Sequence, residues 1–63
     1  MRVLQHGRTY QSIKEIRDIV SDEPFEKGTV FKVINEKGSG YILEDVDSEK
    51  YVLIDFKQSD YLR

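Results

Sequence analysis

Cysteine and tryptophan are absent from this 63-residue chain, and histidine and proline occur once each, as His6 and Pro24. Without cysteine the chain has neither a disulfide framework nor a thiolate metal site, and one histidine cannot build a metal cluster by itself. We therefore expect no metal and no cofactor. Because no nucleophile and base accompany His6 in a recognisable arrangement, we also expect the protein not to be an enzyme.

Long apolar runs are missing too. No segment approaches the roughly 20 apolar residues that span a bilayer, and the N-terminus lacks an apolar run of signal-peptide length. We expect a cytoplasmic protein with no membrane partner. A chain this short lies near the lower limit for folding without staples, so we expect a single domain, residues 1–63, that buries most of its apolar side chains. Self-association, for example as a homodimer, would add stability.

Three apolar runs separated by short polar turns occupy the second half of the chain. They are Thr29–Asn35, Tyr41–Val46 and Tyr51–Phe56. The first turn contains two glycines and the second is the polar stretch Asp47–Lys50, and both compositions favour chain reversal. The pattern predicts a three-stranded antiparallel meander. Both faces of these strands carry apolar side chains, so we expect a curved sheet whose second face is covered or binds a partner.

The first half of the chain is expected to contain a helix. Ser12 and Glu15 have the spacing of a capping box, and isoleucine and valine follow at helical spacing. These features predict an amphipathic helix over about residues 12–21, which ends before Pro24. Met1–Gln5 is predicted to form a short N-terminal strand. The expected fold class is therefore α+β, with one helix packed on a curved antiparallel sheet of three to five strands.

The glycine-led strand Gly28–Ile34, the turn and strand Lys37–Leu43, and the strand Tyr51–Ile54 together resemble SH3-like small barrels. The nearest pattern is that of the KOW-type modules of translation and transcription proteins. That pattern has a Lys-Gly-x-x-Gly turn, whereas the turn here is the shorter Lys37-Gly38-Ser39-Gly40 and its surroundings are acidic. The resemblance implies closure into a small barrel.

Tyrosine is enriched in binding surfaces, and Tyr41, Tyr51 and Tyr61 are the candidate protein-binding residues. The sequence predicts a small non-catalytic binding or regulatory module, with a protein partner or a second copy of itself. The size and acidic composition also resemble those of orphan proteins of phages and mobile elements, which often bind a host protein.

Nucleic-acid binding is the alternative, because residues 1–20 carry a net charge of +2 although the whole chain carries −2. The residues that would contact phosphate are Arg2, Arg8, Lys14 and Arg17. Ordinary solvated surface charges explain the same residues without a ligand. The acidic residues of the second hairpin are interpreted as a solvated hairpin tip, since the spacing of a calcium-binding loop fails at Lys50.

Overall fold

The alternating apolar runs form the central sheet. The computed structural model describes residues 2–63. Its elements, in chain order, are β1 (Thr9–Gln11), β2 (Ile16–Arg17), β3 (Pro24–Phe25), β4 (Val30–Lys37), β5 (Gly40–Asp45), β6 (Tyr51–Asp55) and α1 (Phe56–Ser59). A four-stranded antiparallel sheet has the order β1-β4-β5-β6, and β2 pairs with β3 in a separate two-stranded sheet. The predicted antiparallel meander is confirmed, with strand ends that differ by one or two residues at most.

The predicted helix over residues 12–21 is wrong, and the α+β fold class is wrong with it. The protein is mostly antiparallel sheet, with 45% strand and 6% helix, and the helix is the short C-terminal α1. Ile16 instead pairs with Phe25 in the β2–β3 hairpin and is fully buried. Val20, which would share the apolar stripe of a helix, is 78% exposed. A helix of this length is marginal by itself, and here pairing with β3 buries Ile16 instead.

Ser12 does not cap a helix. Its hydroxyl donates a hydrogen bond to the Glu26 carbonyl and accepts one from the Gly28 N–H. The Ser12 backbone N–H donates to the Thr29 carbonyl. The hydroxyl partners lie 14 and 16 residues away, so a serine that could cap a helix locally instead joins the end of β1 to the loop that leads into β4.

The predicted N-terminal strand is also wrong for residues 2–5, and Met1 lies outside the described residues. This segment is held by side chains rather than by a strand. The Leu4 N–H donates to the Tyr41 hydroxyl at 3.1 Å, and the Gln5 N–H donates to the Tyr10 hydroxyl at 2.9 Å. The Leu4 side chain is buried in the core, so the segment covers part of it.

One face of the sheet forms the hydrophobic core. Alternate residues of the central strands point inward because successive side chains of a strand alternate between faces. The core residues are Leu4, Tyr10, Ile16, Phe25, Phe31, Val33, Tyr41, Leu43, Val52, Ile54 and Leu62.

Both edges of the sheet are partly covered by other segments. The C-terminal residues Leu62 and Arg63 run beside β1. Gln11 and Arg63 exchange backbone hydrogen bonds of 3.0 Å, and Ser12 forms a β-bridge with Leu62. At the opposite edge, the Ile19 N–H donates to the Leu53 carbonyl of β6 at 2.9 Å. The loop after β2 therefore occupies part of the edge that β6 would otherwise expose.

Candidate functional site

An apolar surface lies where the loop after β2 meets β6. Ile42 of β5 is directly opposite Leu53 of β6, and both are half-buried on the face of the sheet that points away from the core. Tyr51 lies two residues before Leu53 and is 66% exposed, and Ile19 is 49% exposed. We call Ile19, Ile42, Tyr51 and Leu53 the apolar face.

A cavity of about 300 Å³ opens beside this face. It is lined by Ile19, Leu53, Ile54 and residues 37–40 of the β4–β5 turn. Gly40 allows the backbones of β5 and β6 to approach closely, because a Cβ atom at this position would lie 1.8 Å from the Ile54 carbonyl oxygen. The cavity thus combines apolar side chains with the backbone of a tight turn, which is a composition suited to one apolar side chain of a ligand.

The carboxylate of Asp18 positions Ile19 at this cavity. Its Oδ1 atom accepts hydrogen bonds from the backbone N–H groups of Val20 at 2.7 Å and Ser21 at 2.9 Å, and Oδ2 accepts one from Leu53 at 3.0 Å. Burial raises the pKa of Asp18, but the hydrogen bonds from Ser21, Leu53 and Val20 favour the ionised form and together hold this pKa below its usual value. The ionised carboxylate therefore fastens the loop to β6.

Acidic residues lie at the Tyr51 end of the apolar face. Glu44 is directly opposite Tyr51 in the β5–β6 ladder, and Asp47 and Glu49 are exposed in the adjoining turn. Lys50 does not neutralise them, because its Nζ atom contacts Glu23 at 2.7 Å. Lys32 lies directly opposite Glu44 in the β4–β5 ladder, so the negative charge at this end comes from Asp47 and Glu49 of the turn.

The three candidate tyrosines do not share a surface. Tyr41 is a core residue whose ring packs edge-on against Phe56 at 5.5 Å, so it has little area to offer a partner. Tyr61 is half-buried beneath the ammonium group of Lys14, which lies 4.8 Å from its ring. Of the three, Tyr51 is the one that presents most of its side chain to solvent.

The four candidate phosphate-binding residues are divided among separate places. Arg17 is paired with Glu15 at 2.9 Å and Asp22 at 3.4 Å, and the hydrogen bond and charge of Glu15 raise its pKa. Lys14 lies over Tyr61, whereas Arg2 and Arg8 both lie over the ring of Tyr10.

Ile19 and Leu53 were missed as surface residues by sequence reasoning. The sequence places Ile19 in the interior stripe of a helix and Leu53 in an ordinary strand. A local signal was present nonetheless, because Asp18 is followed three and four residues later by Ser21 and Asp22. Polar residues at this spacing are typical of an aspartate-stabilised turn. No local signal indicated that Leu53 would be its partner.

The acidic residues between β5 and β6 act within their own turn. The Asp45 carboxylate accepts hydrogen bonds from the Asp47 and Ser48 N–H groups and so closes the turn. Across residues 2–63, no group of three or more histidine, aspartate or glutamate side chains is placed to hold a metal ion. None of the helical structure in those residues has the length and apolarity needed to cross a membrane.

Comparisons with protein-family models, with curated proteins and with solved structures found no match. The resemblance of the meander to KOW-type modules therefore stays a prediction.

Proposed function

We propose that this protein is a non-catalytic binding module that acts through protein–protein interaction at the apolar face. The proposal rests on the cavity beside Ile19 and Leu53, together with the exposed Tyr51 two residues before Leu53 in the same strand. Partly exposed aliphatic side chains around a concave site, on a face that also carries an exposed tyrosine, are typical of surfaces that bury an apolar anchor of a partner.

The acidic turn beside Tyr51 disfavours a symmetric dimer centred on that residue. In a two-fold dimer whose axis passes near Tyr51, Asp47 and Glu49 of one copy approach the equivalent carboxylates of the other. Like charges brought together at an interface disfavour association. A partner with an apolar side chain for the cavity and basic residues beside it complements both parts of the surface.

The test compares substitutions at exposed apolar positions, so that folding is preserved. Tyr51→Ala and Ile19→Ser change the apolar face, while Val46→Ser is the matched control because Val46 is exposed outside that face. Each variant serves as bait in affinity capture from a lysate, and a photo-crosslinking residue at position 37, which is exposed and lines the cavity, is introduced into every variant to identify the direct contact.

We expect the control to retain the same crosslinked partner as the unsubstituted protein, and both face variants to lose it. Sedimentation at increasing concentration tests the second-copy alternative. If the protein forms a dimer that Tyr51→Ala abolishes, the partner at the apolar face is a second copy of this chain and not a different protein. Capture that is unchanged by both face variants would contradict the proposal.

A further inference from the structure

Two arginines share one aromatic ring at the N-terminal end of the protein. The Cζ atoms of Arg2 and Arg8 lie 5.9 Å and 5.6 Å from the centroid of the Tyr10 ring. No carboxylate within residues 2–63 forms an ion pair with either of them. Arg17, by contrast, has two carboxylate partners. Among residues 2–63, the fold therefore neutralises one arginine of the basic end and leaves the two that share the Tyr10 ring without an acidic partner.

The shared ring is a fixed support. Tyr10 is buried, and its hydroxyl accepts a hydrogen bond from the Gln5 N–H. The chain on both sides is anchored as well, since the Arg2 carbonyl accepts from the buried Ser59 hydroxyl and the Arg8 carbonyl accepts from the Val33 N–H. Both guanidinium groups are therefore attached to backbone that is hydrogen-bonded to the core.

A guanidinium group that is held over an aromatic ring interacts through the π electrons of that ring. Its planar set of N–H donors remains suited to bidentate hydrogen bonds with an oxyanion. Two like charges that share one ring repel each other, and an anion that contacts both offsets the repulsion. These are the requirements of a phosphate site, for which arginine supplies both charge and geometry.

We propose that Arg2 and Arg8, supported by Tyr10, bind a phosphate group. The phosphate is either free or part of a nucleic-acid backbone, because both present the same oxygens. This site goes beyond the proposed protein interaction and uses none of the residues of the apolar face, so each site can fail without the other.

A salt series with a fluorescent single-stranded oligonucleotide tests the nucleic-acid source. Because the two arginines contact one phosphate, the logarithm of the association constant should fall with the logarithm of salt concentration with a slope of about −0.7. Arg2→Gln and Arg8→Gln should each lower the association constant at fixed salt by about tenfold, as for the loss of a hydrogen bond to a charged group. Arg17→Gln is the matched control and should leave the association constant unchanged, because Glu15 and Asp22 already neutralise Arg17.

Titration with inorganic phosphate at constant ionic strength tests binding of free phosphate. The NMR signals of the arginine side-chain N–H groups report the binding. Saturable shifts confined to Arg2 and Arg8 support the proposal. If the glutamine variants unfold, Arg2→Lys and Arg8→Lys replace them, since lysine keeps the charge but loses the bidentate donors and should bind phosphate more weakly.

Oligonucleotide binding through these arginines identifies the ligand as nucleic acid, and a response to inorganic phosphate alone identifies free phosphate. Three results overturn the proposal: no response in either titration at about 50 mM salt, binding that persists in both arginine variants, or stronger binding of a glutamate-rich peptide than of either phosphate probe.

Discussion

The Oδ2 atom of Asp18 accepts a hydrogen bond from the Leu53 N–H at 3.0 Å, which joins two residues 35 positions apart. The next residue, Ile19, returns a hydrogen bond to the Leu53 carbonyl. Both polar groups of the Leu53 backbone are thus used by the loop after β2. This loop supplies one wall of the cavity, so the Asp18 carboxylate and the Ile19 N–H together hold the candidate interface on β6.

Asp18→Asn should detach the loop from β6. An asparagine side chain has one acceptor oxygen, so it cannot serve Val20, Ser21 and Leu53 as the carboxylate does. We expect the free energy of unfolding to fall by about 1.5 kcal/mol, as for a hydrogen bond to a charged group. Urea denaturation measures this loss, and amide exchange should show Leu53 less protected.

The matched control for that substitution is Asp22→Asn. Asp22 is exposed in the same loop with φ of 63°, a conformation that asparagine also tolerates. Its effect should stay within about 0.5 kcal/mol. Equal stability of the two variants, with Leu53 still protected in Asp18→Asn, would show that the carboxylate does not hold the loop.

Acid should remove the contribution of Asp18. Its pKa in the folded protein is lower than the unfolded value of 3.8, so the unfolded state binds the proton more readily. The stabilisation is complete well above 3.8 and is lost as the pH falls through the folded pKa. The difference in unfolding free energy between the unsubstituted protein and Asp18→Asn should therefore be constant near about pH 6 and shrink below about pH 3. Denaturation at several pH values measures it, and a difference independent of pH would contradict the assignment.

Gly40→Ala should be strongly destabilising. Its Cβ atom would lie 1.8 Å from the Ile54 carbonyl oxygen, and both partners belong to backbone in a paired ladder, which has little freedom to move. We expect a loss of about 3 kcal/mol, at the upper end of the range for overpacking. Gly38→Ala is the comparison, because Gly38 has φ of 45° but open space around its Cβ position. Strain alone should cost it about 1 kcal/mol. Thermal unfolding of both variants measures the difference, and equal losses would mean that β5 can shift away from β6.

Tyr41→Phe should loosen the N-terminal segment while leaving the core volume almost unchanged. It removes the hydroxyl that accepts the Leu4 N–H, a buried group that would then have no acceptor. The expected cost is about 1 kcal/mol, accompanied by faster exchange of the Leu4 amide. Tyr51→Phe, at an exposed position, should change stability by less than about 0.5 kcal/mol. Unchanged Leu4 exchange in Tyr41→Phe would indicate that the segment is held by its apolar side chain instead.

Local patterns were sufficient to predict three of the four strands of the central sheet. Strands β4 to β6 could be predicted because side-chain alternation and turn-forming residues act over a few neighbouring positions, and the turns at Gly38 and Asp47 obey them. The prediction of a helix over residues 12–21 was wrong for an equally physical reason. Ser12 can cap a helix or bond to distant backbone, and Ile16 can face a helix stripe or pair with Phe25, and both choices satisfy the same local pattern.

The candidate binding surfaces could likewise be predicted from the sequence only in part. From the sequence alone, Tyr51 could be named as a candidate binding residue only together with Tyr41 and Tyr61, and Arg2 and Arg8 as cations, because residue type and charge are local properties whereas exposure is not. Only the tertiary structure decided that Tyr41 is buried, that Arg17 is neutralised, and that Ile19 and Leu53 share a cavity. The burial of Tyr41 and the cavity shared by Ile19 and Leu53 depend on contacts between residues tens of positions apart, and the composition of a segment does not specify its distant partner. The neutralisation of Arg17 depends on the turn after β2, which brings Asp22 back to it.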